Sequence, residues 1–412
     1  METTDVVIIG GGAAGLTAAI FAAENAPAGR RIVVLDGAKV LGAKILVSGG
    51  GRCNVTHCEV SAHDFNGSRN IVRNVLAAFD EQATVRWFES LGVPLRQEPT
   101  GKLFPTADSA RAVLNALLRR CEALHVSLRT QCRVTQVTKE ADGGFTVSFD
   151  GGTIHAGRVI LSTGGRSLPR SGSDGYGWEL ARHLGHSVTP TYAALVPLVL
   201  EPTMFHADLA GIAQDVELSV FVNGKRVDHR SGSLLWTHFG ISGPVVMDAS
   251  RHWTLASETG QNPTLVCNLS PCQNFEQVER AWISATAARP KATTLTHLST
   301  RFPERVATAL LRHAKIEPDI VAGQLSRDAR RTLVHTLTAL PLPVTQQRGW
   351  NYAEVTAGGV PLGEIDFRTL QSRKTPGLYL AGEILDCDGR IGGFNFQWAW
   401  ATGYLAGRAA AG

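Results

Sequence analysis

Apolar residues near the start of the chain fall into two unbroken runs, Val6–Ile9 and Ile32–Leu35, with an alanine-rich stretch between them. Runs this short, without polar alternation, predict strands buried on both faces, as in a parallel sheet covered by helices. Gly10-Gly11-Gly12-Ala13-Ala14-Gly15 turns the first strand into a helix reaching about Asn25, and Asp36 closes the second strand 21 residues after Gly15. Helical spacing follows at 69–79, 82–91 and 108–124. Between 126 and 162 the period falls to two, with Gly143-Gly144 and Gly151-Gly152 as turns. That predicts three or more strands, the last running into Thr163-Gly164-Gly165. Further on, 215–230 predicts a hairpin around Asn223-Gly224, and 274–340 is mostly helical in spacing. Leu378–Ala381 then reads as a strand before Gly382-Glu383, and a glycine-led helix covers 393–411.

This order predicts an α/β protein. A Rossmann-like nucleotide-binding domain is split between 1–190 and 346–412 by an insert with a β-rich subdomain, 191–272, and a helical subdomain, 273–345. The 412 residues are 44% apolar and 18% charged, which suits a globular chain with a large core. A net charge of +4 neither demands nor excludes an anionic partner. No window approaches the roughly 20 apolar residues of a membrane helix, and no export signal is evident at the N-terminus. The seven cysteines are scattered, without zinc-like pairs. The expectation is a soluble cytoplasmic protein with no metal site and no membrane partner; its oligomeric state is not legible.

Strand, GxGxxG turn, helix, strand and acid make a dinucleotide-binding unit with a stated mechanism. Gly10 gives the tight turn, Gly12 lets a pyrophosphate approach the backbone, and Gly15 allows close helix–strand packing. Ala13 and Ala14 open the helix whose free N–H groups hold phosphate, and Asp36 accepts from a ribose hydroxyl. A classical NAD domain would continue as a regular sheet. Here Gly42-Ala43-Lys44 and a second cluster, Gly49-Gly50-Gly51-Arg52-Cys53-Asn54-Val55-Thr56, follow instead. Such a polar loop can track an extended ligand toward a flavin, with Lys44, Gly51, Arg52, Cys53 and Asn54 as candidate contacts. A plain glycine-rich loop capped by Asn54 or Thr56 is the simpler alternative. Cys53 and Cys58 have the spacing of a flavin disulfide reductase, but the glycines at 164–177 form no second GxGxxG unit and no HxxxxE lies near the C-terminus. Packing near the flavin therefore suits Cys53 better than a redox role.

Toward the C-terminus, Gly382-Glu383 ends a strand where split-domain flavoproteins hold the ribityl chain. Gly393, Asn395 and Phe396 open a helix whose N-terminus would stabilise an electron-rich flavin edge. The aromatic residues Trp398, Trp400 and Tyr404 are equally consistent with core packing.

Taken with Gly101-Lys-Leu-Phe-Pro105, Thr237-His-Phe-Gly-Ile-Ser-Gly-Pro244 and Glu354-Val-Thr-Ala-Gly-Gly-Val360, these motifs resemble the YhiN/BaiN-like family of FAD-dependent oxidoreductases across nearly the whole chain. The resemblance implies FAD, a Rossmann-like FAD domain and a paired insert. It also implies that Thr163 and Gly164 lie at the cofactor and that the strand around Val134 meets its adenine. Gly389-Arg390-Ile391 stands where Gly-Pro-Thr is expected, and Cys58 where Asn is more usual.

Within the insert, Ser242 reads as the cap of a helix starting at Gly243-Pro244. His238 beside it is the candidate catalytic proton partner. The leading expectation is hydride transfer between a small organic substrate and flavin, with NAD(P)H as a transient co-substrate if it is used. The alternative is a flavin-containing RNA-binding or RNA-modifying protein, because 280–348 holds 11 Lys/Arg against 4 Asp/Glu. Few aromatic residues accompany those charges, which weighs against a nucleic-acid partner.

Overall fold

The computed structural model describes residues 2–141 and 143–412, and its chain divides into two units: Met1–Thr191 with Glu354–Gly412, and Tyr192–Ala353. In the first unit, Glu2–Ile9 pairs in parallel with Ile32–Leu35 on one side and Gly152–Leu161 on the other. Ser127–Arg129 extends the sheet past Ile32–Leu35, and Leu378–Leu380 extends it past Gly152–Leu161, again in parallel. Numbered along the chain, these five strands lie in the order 3-2-1-4-5 of a Rossmann-type sheet. The strands Val134–Lys139 and Phe145–Phe149 form an antiparallel meander with Gly152–Leu161.

Register decides where a ligand would go. Ile9 stands opposite both Leu35 and Leu161, and Leu161 opposite Leu380. The carboxyl ends therefore align, and Gly10, Asp36, Ser162 and Ala381 follow them along one edge. In open parallel sheets ligands bind outside that edge. The helix Ala13–Asn25 crosses beside it, and the C-terminal helix Phe394–Ala411 packs against it through Tyr404, whose ring meets Phe21 and Phe79, each at 4.8 Å.

The second unit is built on a seven-stranded antiparallel sheet. Asn223 and Gly224, with φ of 51° and 77°, make the two-residue turn between Ala213–Val222 and Lys225–Thr237. Val216, Leu218 and Val220 point from one face into a core shared with the helices Pro244–Glu258, Glu304–His313 and Arg327–Thr338. Ser242 is not a helix cap. It is the last residue of the strand Gly240–Ser242, paired opposite Leu235, and Gly243 is the N-cap before Pro244.

Candidate functional site

At the carboxyl edge the Gly10–Gly15 turn is locked to its neighbours. Gly10 N–H donates to the Leu35 carbonyl at 2.9 Å, and Ser162 Oγ donates to the Gly10 carbonyl at 2.9 Å. A Cβ on Gly15 would stand 1.9 Å from the Gly10 carbonyl oxygen, so only glycine lets the helix start this close to the strand. At Gly12 the same test meets nothing within 4 Å, and the turn opens onto free space. The helix has Gly12 as its N-cap, with no capping side chain and no acid in the first turn. Its partial positive charge is uncompensated at Ala13, Ala14 and Gly15, which fits a phosphate group. Asp36 is held at the edge by N–H donors from Gly11 at 2.6 Å and Ala38 at 2.7 Å, and each carboxylate oxygen keeps a lone pair for a further donor. Backbone bonds from Gln131 and Cys132 to Ala38 and Asp36 lay the segment leading to Val134 beside this acid.

The second glycine cluster forms a tight loop, with Gly49, Gly50 and Gly51 at φ of 55°, 69° and 86°. Cys53 within it is fully buried, and burial pushes its thiol up to about 12 against a smaller opposing bond from Ser48. Arg52 is already engaged: Nη1 donates to Glu98 at 2.7 Å, and the guanidinium stacks on Phe104 at 4.1 Å. Asn54 is buried, and its Oδ1 has no hydrogen-bond partner. The same holds for Thr163 Oγ1, on the loop after the fourth parallel strand.

The C-terminal segments close on this loop from a sequence distance of more than 300 residues. Lys44 Nζ donates to Glu383 Oε2 at 2.7 Å and to Ser167 Oγ at 2.8 Å. Glu383 Oε1 accepts from Thr356 N–H at 2.8 Å and from Ser167 Oγ at 3.0 Å. Trp400 Nε1 donates to the Val55 carbonyl at 2.9 Å and Trp398 Nε1 to that of Gly382 at 3.3 Å, so the C-terminal helix ties both loops. Gly393, its N-cap at φ 94°, lies where a Cβ would meet Thr56 backbone at 2.7 Å. Asn395 clamps Gly389 through a reciprocal pair of bonds at 2.8 and 2.9 Å, and Phe396 stacks on Trp400 at 5.5 Å. Gly164, at φ 74°, faces Ser173.

The structure thus gathers the fingerprint, Asp36, Lys44, the Gly51–Asn54 loop, Thr163, Gly164, Gly382-Glu383 and the start of the C-terminal helix within the first unit. His238 belongs to the second unit, exposed in the turn after Lys225–Thr237, with its ring edge-on to Phe239 at 5.2 Å. Sequence reasoning missed Ser167 and Thr356, which hold Glu383, and Gln397, which bonds Thr56. Their only signal is an acid or hydroxyl needing a buried partner, and one sequence does not say which. Among the described residues no cluster of three or more His, Cys, Asp or Glu could hold a metal ion, and no helix is long and apolar enough to cross a membrane.

A family model described as the HI0933-like protein Rossmann domain matches residues 4–409. The chain belongs to the HI0933-like family. A relative from Clostridium scindens, a 3-dehydro-bile acid delta(4,6)-reductase, is 36% identical over 98% of both chains. Ribosomal RNA dihydrouridine synthases from Escherichia coli and Haemophilus influenzae are 34% and 30% identical, each over 98% of this chain and 97% of theirs. The HI0933-like chain is accordingly an oxidoreductase with a flavoprotein-type Rossmann domain. In fold alone it is similar to a 3-ketosteroid delta1-dehydrogenase from Sterolibacterium denitrificans, solved with 1,4-androstadiene-3,17-dione (TM-score 0.52, 13% identity, all of both chains covered).

Proposed function

We propose that the protein holds FAD in its first unit and reduces a carbon–carbon double bond conjugated to a carbonyl in a small organic substrate, with NADH or NADPH as transient hydride donor. The observation that carries the cofactor is the pair of buried oxygens without partners, Asn54 Oδ1 and Thr163 Oγ1, on two loops of the unit whose fingerprint helix begins uncapped. Polar atoms are buried in that state at a cost of about 1–3 kcal/mol each unless a ligand completes them. When bound, FAD would supply two-electron chemistry, accepting a hydride and delivering one to an electron-poor carbon.

In this reading the N–H groups from Gly12 to Gly15 take the pyrophosphate, Asp36 takes ribose hydroxyls, and the strand from Val134 backs the adenine. Lys44, Gly51, Arg52, Cys53, Asn54, Thr163, Gly164, Gly382 and Glu383 form the walls toward the ring. Gly393, Asn395 and Phe396 present the uncapped N-terminus of the C-terminal helix, which favours negative charge. His238 is the proposed proton carrier, at Nε2, for the carbon next to the carbonyl. The choice of bond rests on relatives whose names both denote saturation of a conjugated double bond, in a 3-dehydro-bile acid and in uridine. Seven scattered cysteines suit a reducing cytoplasm.

The second reading, reduction of uridine in RNA, is favoured by the two synthase relatives and by the basic 280–348 region. Anaerobic stopped-flow separates the two. NADH or NADPH should bleach the flavin's visible band, and a steroid-like enone should restore it faster than a uridine-containing RNA. The reverse order would move the assignment to RNA. A colourless protein that takes up no added FAD would remove both.

A further inference from the structure

The second unit contains an arginine whose partners are aromatic rings rather than acids. Arg348 Cζ lies 3.9 Å from the centre of the Phe239 ring and 3.7 Å from that of Tyr352. Arg230, Arg312 and Arg330 of the same unit each pair with a carboxylate. Among the described residues, Arg348 has neither an ion pair nor an acceptor for its side-chain N–H groups. The backbone that bears it is braced. Arg348 N–H donates to the Pro197 carbonyl at 3.0 Å, and Tyr352 N–H closes the following turn on Gly349 at 3.0 Å. Phe239 also meets the edge of His238, and the adjoining Thr237 Oγ1 is buried without a partner. Tyr352 is 48% exposed, unusual for a large aromatic side chain.

We propose that Arg348 is the anchor for a carboxylate on an otherwise apolar small-molecule substrate. Guanidinium is permanently charged and presents a planar fork that matches a carboxylate with two parallel hydrogen bonds. Stacking on two rings settles its plane beforehand, so little side-chain entropy remains to be lost when the anion arrives. Phe239 and the exposed Tyr352 offer apolar surface to the body of the same molecule. Ligand charge follows from the neighbourhood: across 235–244 and 343–353, Arg348 is the only Lys or Arg. Recognition of a nucleic-acid backbone spreads over several phosphates and several cations. One isolated fork fits one anion. The inference rests on the proposed reduction only in calling this ligand the substrate.

The test compares a 3-oxo-Δ4 steroid carboxylic acid with its methyl ester on the full-length, FAD-loaded protein. Binding is measured by calorimetry and turnover as KM and kcat separately. The acid should bind roughly tenfold or more tighter than the ester, the range of a charge-assisted hydrogen bond. Arg348→Gln should bring the acid to the level of the ester while leaving ester binding and flavin bleaching by the nicotinamide intact. Arg348→Lys, which keeps the charge but loses the fork, should fall between. Absence of any acid-over-ester preference in the unaltered protein, including failure of both to bind, overturns the anchor without needing a variant. An Arg348→Gln protein that loses affinity for a uridine-containing RNA oligomer, with no change in the acid-to-ester ratio, overturns it in favour of a phosphate contact. A flavin-loaded protein that binds the acid preferentially but reduces neither probe would refute the proposed reaction and leave the anchor standing.

Discussion

Cys53 sits in the left-handed region at φ 62° with no exposed surface, and burial alone drives its thiol up to about 12. At neutral pH it is a small apolar group, since the thiolate is the species that reacts. Cys121 and Cys267 are buried with thiols raised for the same reason, whereas Cys272 is exposed. Native protein treated with iodoacetamide at pH 8 and mapped by mass spectrometry should therefore be labelled at Cys272, with Cys53, Cys121 and Cys267 protected until denaturant is added. Labelling of Cys53 at the rate of Cys272 would restore the thiol chemistry suggested by the Cys53–Cys58 spacing. Arg52 and Asn395 show a different residue-scale limit. Their chemistry is plain from the sequence, but Glu98, Phe104 and Gly389 already use much of it. Any cofactor contact they make must be additional to those bonds.

The C-terminal helix braces the other elements. Gln397, fully buried on it, accepts from Thr56 Oγ1 at 2.7 Å and Thr84 Oγ1 at 2.8 Å and donates to the Phe79 carbonyl at 2.8 Å. Gln397→Leu strands three buried polar groups, so a loss of about 3–5 kcal/mol is expected in denaturant unfolding; a loss under about 1 kcal/mol would mean those groups find other partners. A second tie links 183–187 to 364–374. His186 Nδ1 lies 2.8 Å from Glu364 and its Nε2 2.8 Å from Ser372, while Lys374 Nζ reaches Glu364 at 2.7 Å. Burial raises the Glu364 pKa, but bonds from Lys374, Ser187 and His186 outweigh it and hold the carboxyl at about 2. A lowered carboxylate stabilises the fold above its unfolded value near 4.5, and that contribution is lost as pH falls toward about 2. Burial lowers His186 as well, so stability also declines as pH drops below 6.5, where the unfolded imidazole takes up its proton. The melting temperature should fall from pH 6.5 downward, and Glu364→Gln should flatten the limb below 4.5; an unchanged limb would mean other acids set it. The helices at 69–79, 82–91 and 393–411 were legible because helical period and turn chemistry are local. The helix Tyr176–His183 and the strands Ile365–Asp366 and Gln371–Ser372 were not read from the sequence. Nor were these ties, because hydrogen-bond partners up to 341 residues apart leave no periodic trace. Ser242 failed for a related reason: pairing with Leu235 holds it extended, and a neighbouring glycine takes the cap.

Across the whole molecule, the chain leaves the Rossmann unit after Thr191 and returns at Glu354 to supply its fifth parallel strand and the helix that ties its loops. That order was readable because the fingerprint and the Gly382-Glu383 strand each carry their own signature at opposite ends of the sequence. Each unit has its own buried core, and the eight tryptophans divide evenly, with Trp87, Trp178, Trp398 and Trp400 in the first and Trp236, Trp253, Trp282 and Trp350 in the second. If FAD binds as proposed, every polar contact assigned to it lies in the first unit. A ligand that binds only the native state stabilises it by about 2.7 kcal/mol at 100 times its dissociation constant. For a unit of this size that corresponds to roughly 5–10 °C in melting temperature. Hydrogen exchange followed by mass spectrometry on flavin-free and flavin-loaded protein should then show the gain concentrated at 10–15, 36–54, 163–167 and 382–396. Strands 213–222 and 225–237 should change least, because their ladder is complete within the second unit. Protection rising in those strands while the fingerprint stays unchanged would place the cofactor elsewhere and undo the assignment of the carboxyl edge.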